Sequence, residues 1–319
     1  MDFETKRIAQ LVRENNANII ALQFPEGLKR YGPSLAMQIE QELGIRVILS
    51  GDPCYGACDL DLESDADLVF HFGHAEIPQL DVERVHFIEV RSDIDVAPVV
   101  RDALKVIDSQ RIGVVTTVQH IHQLRDIRSQ IESQGRECRI GQGDNRIKYP
   151  GQVLGCNFSS ARAIDVDEYL YIGSGLFHAL GVSLATGKRV VAADPFLHRI
   201  SVPDARAIVR QRYAVIARAL DAGTFCVLIG TKIGQRRSYL AQELVQEARE
   251  RRHRAYAVSV NEVSPWLLYQ FPADAYVNTA CPRIGIDEVS RFKAPLLSPI
   301  EFEIVIRKRD LSDYTFDEL

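Results

Sequence analysis

Short apolar runs rich in β-branched residues alternate with helical patterns along the whole chain. "ANIIALQFPEGL" from Ala17, "QRIGVVTTVQHIHQL" from Gln110 and "TFCVLIGTKIGQRRSYL" from Thr224 each pass from a buried strand into a polar or glycine-bearing loop and then a helix start. Such runs, separated by helical stretches, predict parallel strands joined by crossover helices. The class is α/β. A second strand follows each opening, in "IRVILSGD", "ECRIGQGD" and "RAYAVSV", and then a third, in "DADLVFHFGHA", "VDEYLYIGSGLFHAL" and "PADAYVNTACPRIG". A fourth run closes each unit: "RVHFIEV", "KRVVAADPF" and, less clearly, "APLLSPIEFEIVI". The repeat, at a spacing of roughly 90 to 115 residues, predicts three similar α/β domains, each a small parallel sheet flanked by helices. Their expected extents are 1–104, 105–205 and 206–319. Ligands of open parallel sheets gather beyond the carboxyl ends of the strands, so three such ends suit one central site.

The remaining stretches frame this core. "MDFETKRIAQLVRENN" has the wrong charge order for a signal peptide and reads as an amphipathic first helix. "EFEIVIRKRDLSDYTFDEL", an apolar run followed by an acidic tail, reads as an edge strand, a dimer contact or a frayed terminus. "RERRHR", Arg249 to Arg254, reads as a solvated face near a helix C-terminus.

Composition narrows the function classes. The 319 residues are 46% hydrophobic and 25% charged, ordinary for globular domains, and no run is long and apolar enough for a membrane span. A net charge of -5 argues against nonspecific nucleic-acid binding. The expected compartment is the cytoplasm, where the 6 cysteines are better candidates for metal ligands, nucleophiles or core residues than for disulfides.

Sorted by unit, Cys58 follows the second strand of the first, Cys156 the second strand of the second, and Cys281 the third strand of the third. One loop cysteine per unit is what a shared central site needs. Three thiolates from separate loops can bind zinc or an iron–sulfur cluster and leave a fourth position open to substrate. Flanking glycine, proline and small residues let backbone and thiolate approach a bulky cluster. Cys138 and Cys226 fall inside apolar strands and read as small buried hydrophobes. Cys54 shares the first loop with Cys58, and both can reach a metal from there.

Other motifs fail on spacing. "GTKIGQRR" is no P-loop, because Lys232 comes too early. "IGSGLFHALG" has Gly173 and Gly175 but no third glycine, and Ser174 lacks the glycine of a nucleophile elbow. His120 and His122 in "QHIHQL" read as polar surface or core. The three-cysteine signature usual for radical S-adenosylmethionine enzymes is broken by Asp61.

"YGACDLD" at Tyr55 to Asp61, "LGCNFSSAR" at Leu154 to Arg162, "YIGSGLFHALGV" at Tyr171 to Val182, "ADPF" at Ala193 to Phe196, "GTKIGQRR" at Gly230 to Arg237 and "NTACPRIGID" at Asn278 to Asp287 carry a resemblance. Together they resemble the diphthamide biosynthesis family, the archaeal 2-(3-amino-3-carboxypropyl)histidine synthases. The resemblance runs along nearly the whole chain. It implies a homodimer whose three domains each give one cysteine, Cys58, Cys156 and Cys281, to a [4Fe–4S] cluster, with Cys54 a bystander or substitute ligand. S-adenosylmethionine is then the implied cosubstrate: one electron from the cluster breaks its bond to the γ-carbon, releasing methylthioadenosine. The 3-amino-3-carboxypropyl radical adds to C2 of a histidine imidazole in translation elongation factor 2. An electron donor is implied as a further partner.

For the methionyl carboxylate, Arg236, Arg237 and Arg283 are the expected fork-shaped partners, with Gly230, Gly234 and Gln235 lining the pocket and His178 facing the junction. The competing enzyme reading is a three-cysteine dehydratase of the quinolinate synthase type, in which an open iron acts as Lewis acid on a small dicarboxylate. "YGAC" and "ACPR" favour the transferase. A structural-zinc binding module is the non-enzymatic reading, but only Cys54 and Cys58 form the close pair such sites use.

Overall fold

The computed structural model describes residues 2–287 and 291–319. Three sheets succeed one another along the chain. The first contains β1 (Ile19–Gln23), β2 (Arg46–Leu49), β3 (Leu68–Phe72) and β4 (Val85–Ile88). The second contains β5 (Arg111–Thr116), β6 (Glu137–Arg139), β7 (Glu168–Ile172), β8 (Arg189–Asp194) and β9 (Arg199–Ser201). The third contains β10 (Thr224–Gly230), β11 (Arg254–Val260), β12 (Ala275–Asn278) and β13 (Leu296–Leu297). In spatial order they run β2-β1-β3-β4, β6-β5-β7-β8-β9 and β11-β10-β12-β13. The same order, second strand, first, third, fourth, therefore occurs three times. Register pairs such as Ile20 with Val47 and Leu68, Ile112 with Cys138 and Glu168, and Phe225 with Ala255 and Ala275 are parallel. The antiparallel exception is the short β8–β9 pairing.

Every residue of β3, β7 and β12 is buried. That is why these runs are mostly apolar rather than alternating, with His71, Glu168 and Asn278 as their buried polar exceptions: the central strands of a parallel sheet are covered on both faces. The amphipathic first helix is present at Thr5–Glu14 and buries Ile8, Ala9 and Val12. Its apolar side joins Ile20, Leu22, Phe70 and Phe72 in the first core, where Phe24 stacks on Phe72 at 4.4 Å between centroids. The basic stretch follows helix Ser238–Glu250, with Arg251 and Arg252 exposed.

By packing, the described residues form two compact units. One comprises Met1–Val153, Ser159–Gly175 and Val191–Ser201; the other comprises Leu154–Phe158, Leu176–Val190 and Val202–Leu319. The first holds the first sheet and most of the second, and the other holds the third.

Two expectations at the carboxyl end are corrected. The run "APLLSPIEFEIVI" gives only the two-residue strand β13, and the rest is helix Pro299–Val305. Local chemistry decides it: Ser298 and Glu301 form a reciprocal capping box, and Pro299 at the first helical position has no amide hydrogen to lose. Nor does the acidic tail fray, because Asp317, Glu318 and Leu319 are all hydrogen-bonded.

The other unit's polar core centres on Arg212. Its guanidinium donates from Nε to Glu301 Oε1 at 2.7 Å, pairs also with Glu301 Oε2, and donates to the carbonyls of Gly285 and Leu296, each at 2.7 Å. Removing one partner of a buried ion pair leaves the other charge uncompensated, at a cost of about 3–5 kcal/mol. Arg212→Met is expected to lower the unfolding free energy, read by denaturant titration, by that amount; a loss below about 1 kcal/mol would mean the pair is not structural.

His120 supplies a second check. It lies in a short turn at Val118–Gln123, 1% exposed, with Nδ1 lacking any hydrogen-bond partner and the ring 5.7 Å from Phe196. Burial, aided by the neighbouring His122, pushes its pKa down from 6.5 to about 4. The unfolded chain therefore takes up a proton that the folded chain refuses, and stability falls as pH drops from about 6.5 toward 4. Urea unfolding of His120→Gln across that window is expected to show a shallower dependence on pH. An unchanged slope contradicts the assignment.

Candidate functional site

The three loop cysteines stand beyond the carboxyl ends of strands in their respective sheets: Cys58 after β2, Cys156 after β6 and Cys281 after β12. In the first loop the amide of Asp59 donates to the Gly56 carbonyl at 3.0 Å, and the Asp59 carboxylate accepts from the Tyr55 amide at 3.3 Å. This tight turn carries Cys58, buried at 8% exposure, with Cys54 deeper at 2%. Gln23, at the end of β1, anchors it by donating to the Asp59 carbonyl at 2.9 Å and accepting from the Asp61 amide at 3.1 Å.

Cys156 sits in a tight hairpin in which Leu154 donates to the Asn157 carbonyl at 3.0 Å. Phe158, fully buried beside it, packs on helix Phe177–Thr186, where a Cβ on Gly181 would fall 2.0 Å from the Phe158 ring. Only glycine permits that approach. Arg283 covers the hairpin from the other loop: a Cβ on Gly155 would meet its Cδ at 2.8 Å, and its guanidinium lies 4.1 Å from the Phe177 ring centroid. Cys281 is half-buried, and its carbonyl accepts from Asn278 Nδ2 at 2.9 Å.

The carboxyl terminus ties these two cysteine loops together. Leu319 donates its amide to the Cys156 carbonyl at 2.8 Å, Asn157 Nδ2 donates to the Leu319 carbonyl oxygen at 3.0 Å, and the Glu318 carboxylate accepts from the Phe158 amide at 2.7 Å. Two residues back, Asp317 takes both arms of Arg237 at 2.9 and 2.7 Å. Arg237 donates in turn to the Thr279 carbonyl at 2.8 Å and the Ala280 carbonyl at 3.3 Å, directly before Cys281.

The structure thus puts Arg237 and Arg283 beside the Cys156 and Cys281 loops, with the Arg237 fork holding a carboxylate of the chain itself. Gly230, at the end of β10, makes room for the Cys281 loop, since a Cβ there would lie 2.9 Å from that of Ala280. Gly234 and Gln235 are buried in the turn Ile233–Gln235, whereas Arg236 is exposed. His178 is half-buried, its ring edge-on to Phe177 at 5.6 Å. The tail residues Asp317 to Leu319 escaped the sequence reading, as did two histidines of the first unit, His71 and His74, which lie near Cys54.

The donor set fits an iron–sulfur cluster. Cys58, Cys156 and Cys281 each offer a soft sulfur donor on a glycine-containing loop, whereas the two strand cysteines are buried in β6 and β10. Burial pushes the thiols of Cys138 and Cys226 up to about 11, which keeps them protonated at neutral pH.

Comparison with known proteins identifies the family. The family model for diphthamide synthesis proteins matches residues 24–315. The chain belongs to this family. It is 38% identical to the 2-(3-amino-3-carboxypropyl)histidine synthase of Pyrococcus horikoshii, over 100% of this chain and 94% of that protein. It is 30% identical to subunit 1 of the same synthase from Encephalitozoon cuniculi, over 94% of this chain and 87% of the relative. The crystal structure of Dph2 from Pyrococcus horikoshii with a 4Fe-4S cluster superposes with a TM-score of 0.93 at 37% identity, covering 100% of this chain and 94% of that one.

Thiol reactivity tests the sorting of the cysteines. In the cluster-free protein at about pH 8, alkylation followed by peptide mass spectrometry is expected to label Cys281 first and Cys138 and Cys226 last. Labelling of Cys226 as fast as Cys281 would refute it.

Proposed function

We propose that the chain is a 2-(3-amino-3-carboxypropyl)histidine synthase acting in the first step of diphthamide formation. The observation that carries this reading is the full-length match at 38% identity to an enzyme of that name, joined to the 0.93 superposition on a relative that holds a 4Fe-4S cluster. It transfers the 3-amino-3-carboxypropyl group of S-adenosylmethionine to C2 of a histidine imidazole in translation elongation factor 2 and releases methylthioadenosine. The dehydratase reading is not favoured, because the family match covers all three cysteine motifs.

Cys58, Cys156 and Cys281 would hold a [4Fe–4S] cluster, one from each of three domains at 1–104, 105–205 and 206–319. When bound, such a cluster supplies a low-potential electron to the sulfonium of the cosubstrate. The chain's own residues bind, orient and exclude water. Arg283 is the candidate cation for the methionyl carboxylate, since its guanidinium is already flattened on Phe177 beside Gly155. Gly230 backs the Cys281 loop at Ala280 and adjoins the turn that holds Gly234 and Gln235, and His178 follows Phe177 on the same helix. Arg236 remains a surface candidate, and Arg237 positions the Cys281 loop.

The working assembly is a homodimer in the cytoplasm, with elongation factor 2 as protein substrate and a separate electron donor, and without direct nucleic-acid or membrane binding. Among the described residues no helix is long and apolar enough to cross a membrane.

Iron and sulfide analysis after anaerobic reconstitution tests the ligand set. Alanine at Cys58, Cys156 or Cys281 is expected to reduce bound iron about tenfold or more, as loss of one ligand from a three-cysteine site should, whereas Cys138→Ala and Cys226→Ala keep it. A full cluster in Cys156→Ala sinks the assignment.

A further inference from the structure

The first unit contains a second convergence of soft ligands. His71, at 0% exposure on β3, lies in register with Gln23 on β1. Its Nδ1 is 2.8 Å from Gln23 Oε1, and its Nε2 is 2.9 Å from His74 Nδ1. Cys54 completes the group: its Sγ and one ring nitrogen from each histidine all lie within 4.8 Å of one another.

The hydrogen bonds around Gln23 set the chemistry. Gln23 Oε1 accepts from the Asp61 amide, which can only donate, and Gln23 Nε2 donates to the Asp59 carbonyl. The amide orientation is therefore fixed with oxygen toward His71, so His71 Nδ1 carries the hydrogen and Nε2 presents its lone pair to the cluster. A carbonyl on the far nitrogen of an imidazole is the arrangement that orients metal-ligating histidines. Gly73, at φ +79°, makes the turn that brings the second imidazole back alongside the first, a conformation other residues rarely adopt.

We propose that Cys54, His71 and His74 form a three-ligand site for a borderline-soft divalent cation of the zinc class. One sulfur and two imidazole nitrogens, with no carboxylate among them, select zinc over magnesium or calcium, and the fourth tetrahedral position falls to water. Tetrahedral bonds of about 2.0–2.1 Å put neighbouring nitrogens about 3.3 Å apart. The 2.9 Å between the two rings then widens by a few tenths of an ångström when the ion enters. The assignment does not depend on the transferase reading, and it gives Cys54 a role apart from that of Cys58.

The test uses the full chain carrying Cys58→Ser, Cys156→Ser and Cys281→Ser, so that no cluster thiol can bind the probe. Anaerobic titration with cobalt(II) is expected to give about one tightly bound ion per chain, with tetrahedral ligand-field bands and a thiolate charge-transfer band that zinc(II) displaces. Adding Cys54→Ser removes the charge-transfer band, and adding His74→Gln weakens zinc binding by about 100-fold. No cobalt retention in a triple variant with native circular dichroism overturns the proposal, as does a charge-transfer band that survives Cys54→Ser. The reconstituted wild-type chain gives an independent readout by elemental analysis. About one zinc beside the cluster iron, lost with Cys54→Ser while the iron stays, supports the site; zinc absent at saturating supply, or retained by Cys54→Ser with His74→Gln, refutes it.

Discussion

Parallel pairing is the constraint from which the rest of this structure follows. Parallel neighbours cannot be joined by a tight turn, so each strand must be reached by a crossover, and the backbone leaves each at the same end of the sheet. With the order second, first, third, fourth repeated in three sheets, the same kind of loop recurs three times at the carboxyl ends. Cys58 and Cys156 follow the second strand of their sheets in the chain and Cys281 the third, so the cysteines use loops of that end without being equivalent positions. The two strand cysteines, Cys138 and Cys226, have buried side chains whose thiols burial pushes up to about 11.

Within the unit that contains Cys156 and Cys281, one guanidinium does most of the positioning. Arg237 grips both oxygens of Asp317 and two carbonyls of the segment leading into Cys281, while the next two tail residues bond the Cys156 hairpin. A planar fork with five fixed donors suits this, since it satisfies a carboxylate and backbone carbonyls at once. Residues Asp317 to Leu319 are therefore bonded to the Cys156 loop and, through Arg237, to the Cys281 loop. Truncation there reaches the cysteine loops through identifiable hydrogen bonds.

The strand pattern was legible because buried parallel strands leave unbroken β-branched runs bounded by glycine and polar loops. The amphipathic first helix was legible for the same reason in its own period. The final run was harder: "APLLSPIEFEIVI" alternates enough to suggest a strand, and the capping box of Ser298 and Glu301 outweighs that alternation. The tail's role was invisible because Arg237 and Asp317 are 80 residues apart and neither is unusual in its local sequence. His71 and His74 were hidden differently. In "LVFHFGHA" the apolar neighbours dominate the pattern, and only β-sheet register with Gln23 and the fold of the Cys54 loop bring the ligands together.

The central claim is that this chain cleaves S-adenosylmethionine on the γ-carbon side of its sulfonium. The most direct measurement is chromatography of the nucleoside products after anaerobic reconstitution with iron and sulfide, dithionite reduction and addition of S-adenosylmethionine. The account predicts methylthioadenosine in excess of a protein-free control. Formation of 5′-deoxyadenosine instead, or no cleavage by a chain holding an intact cluster, would contradict it.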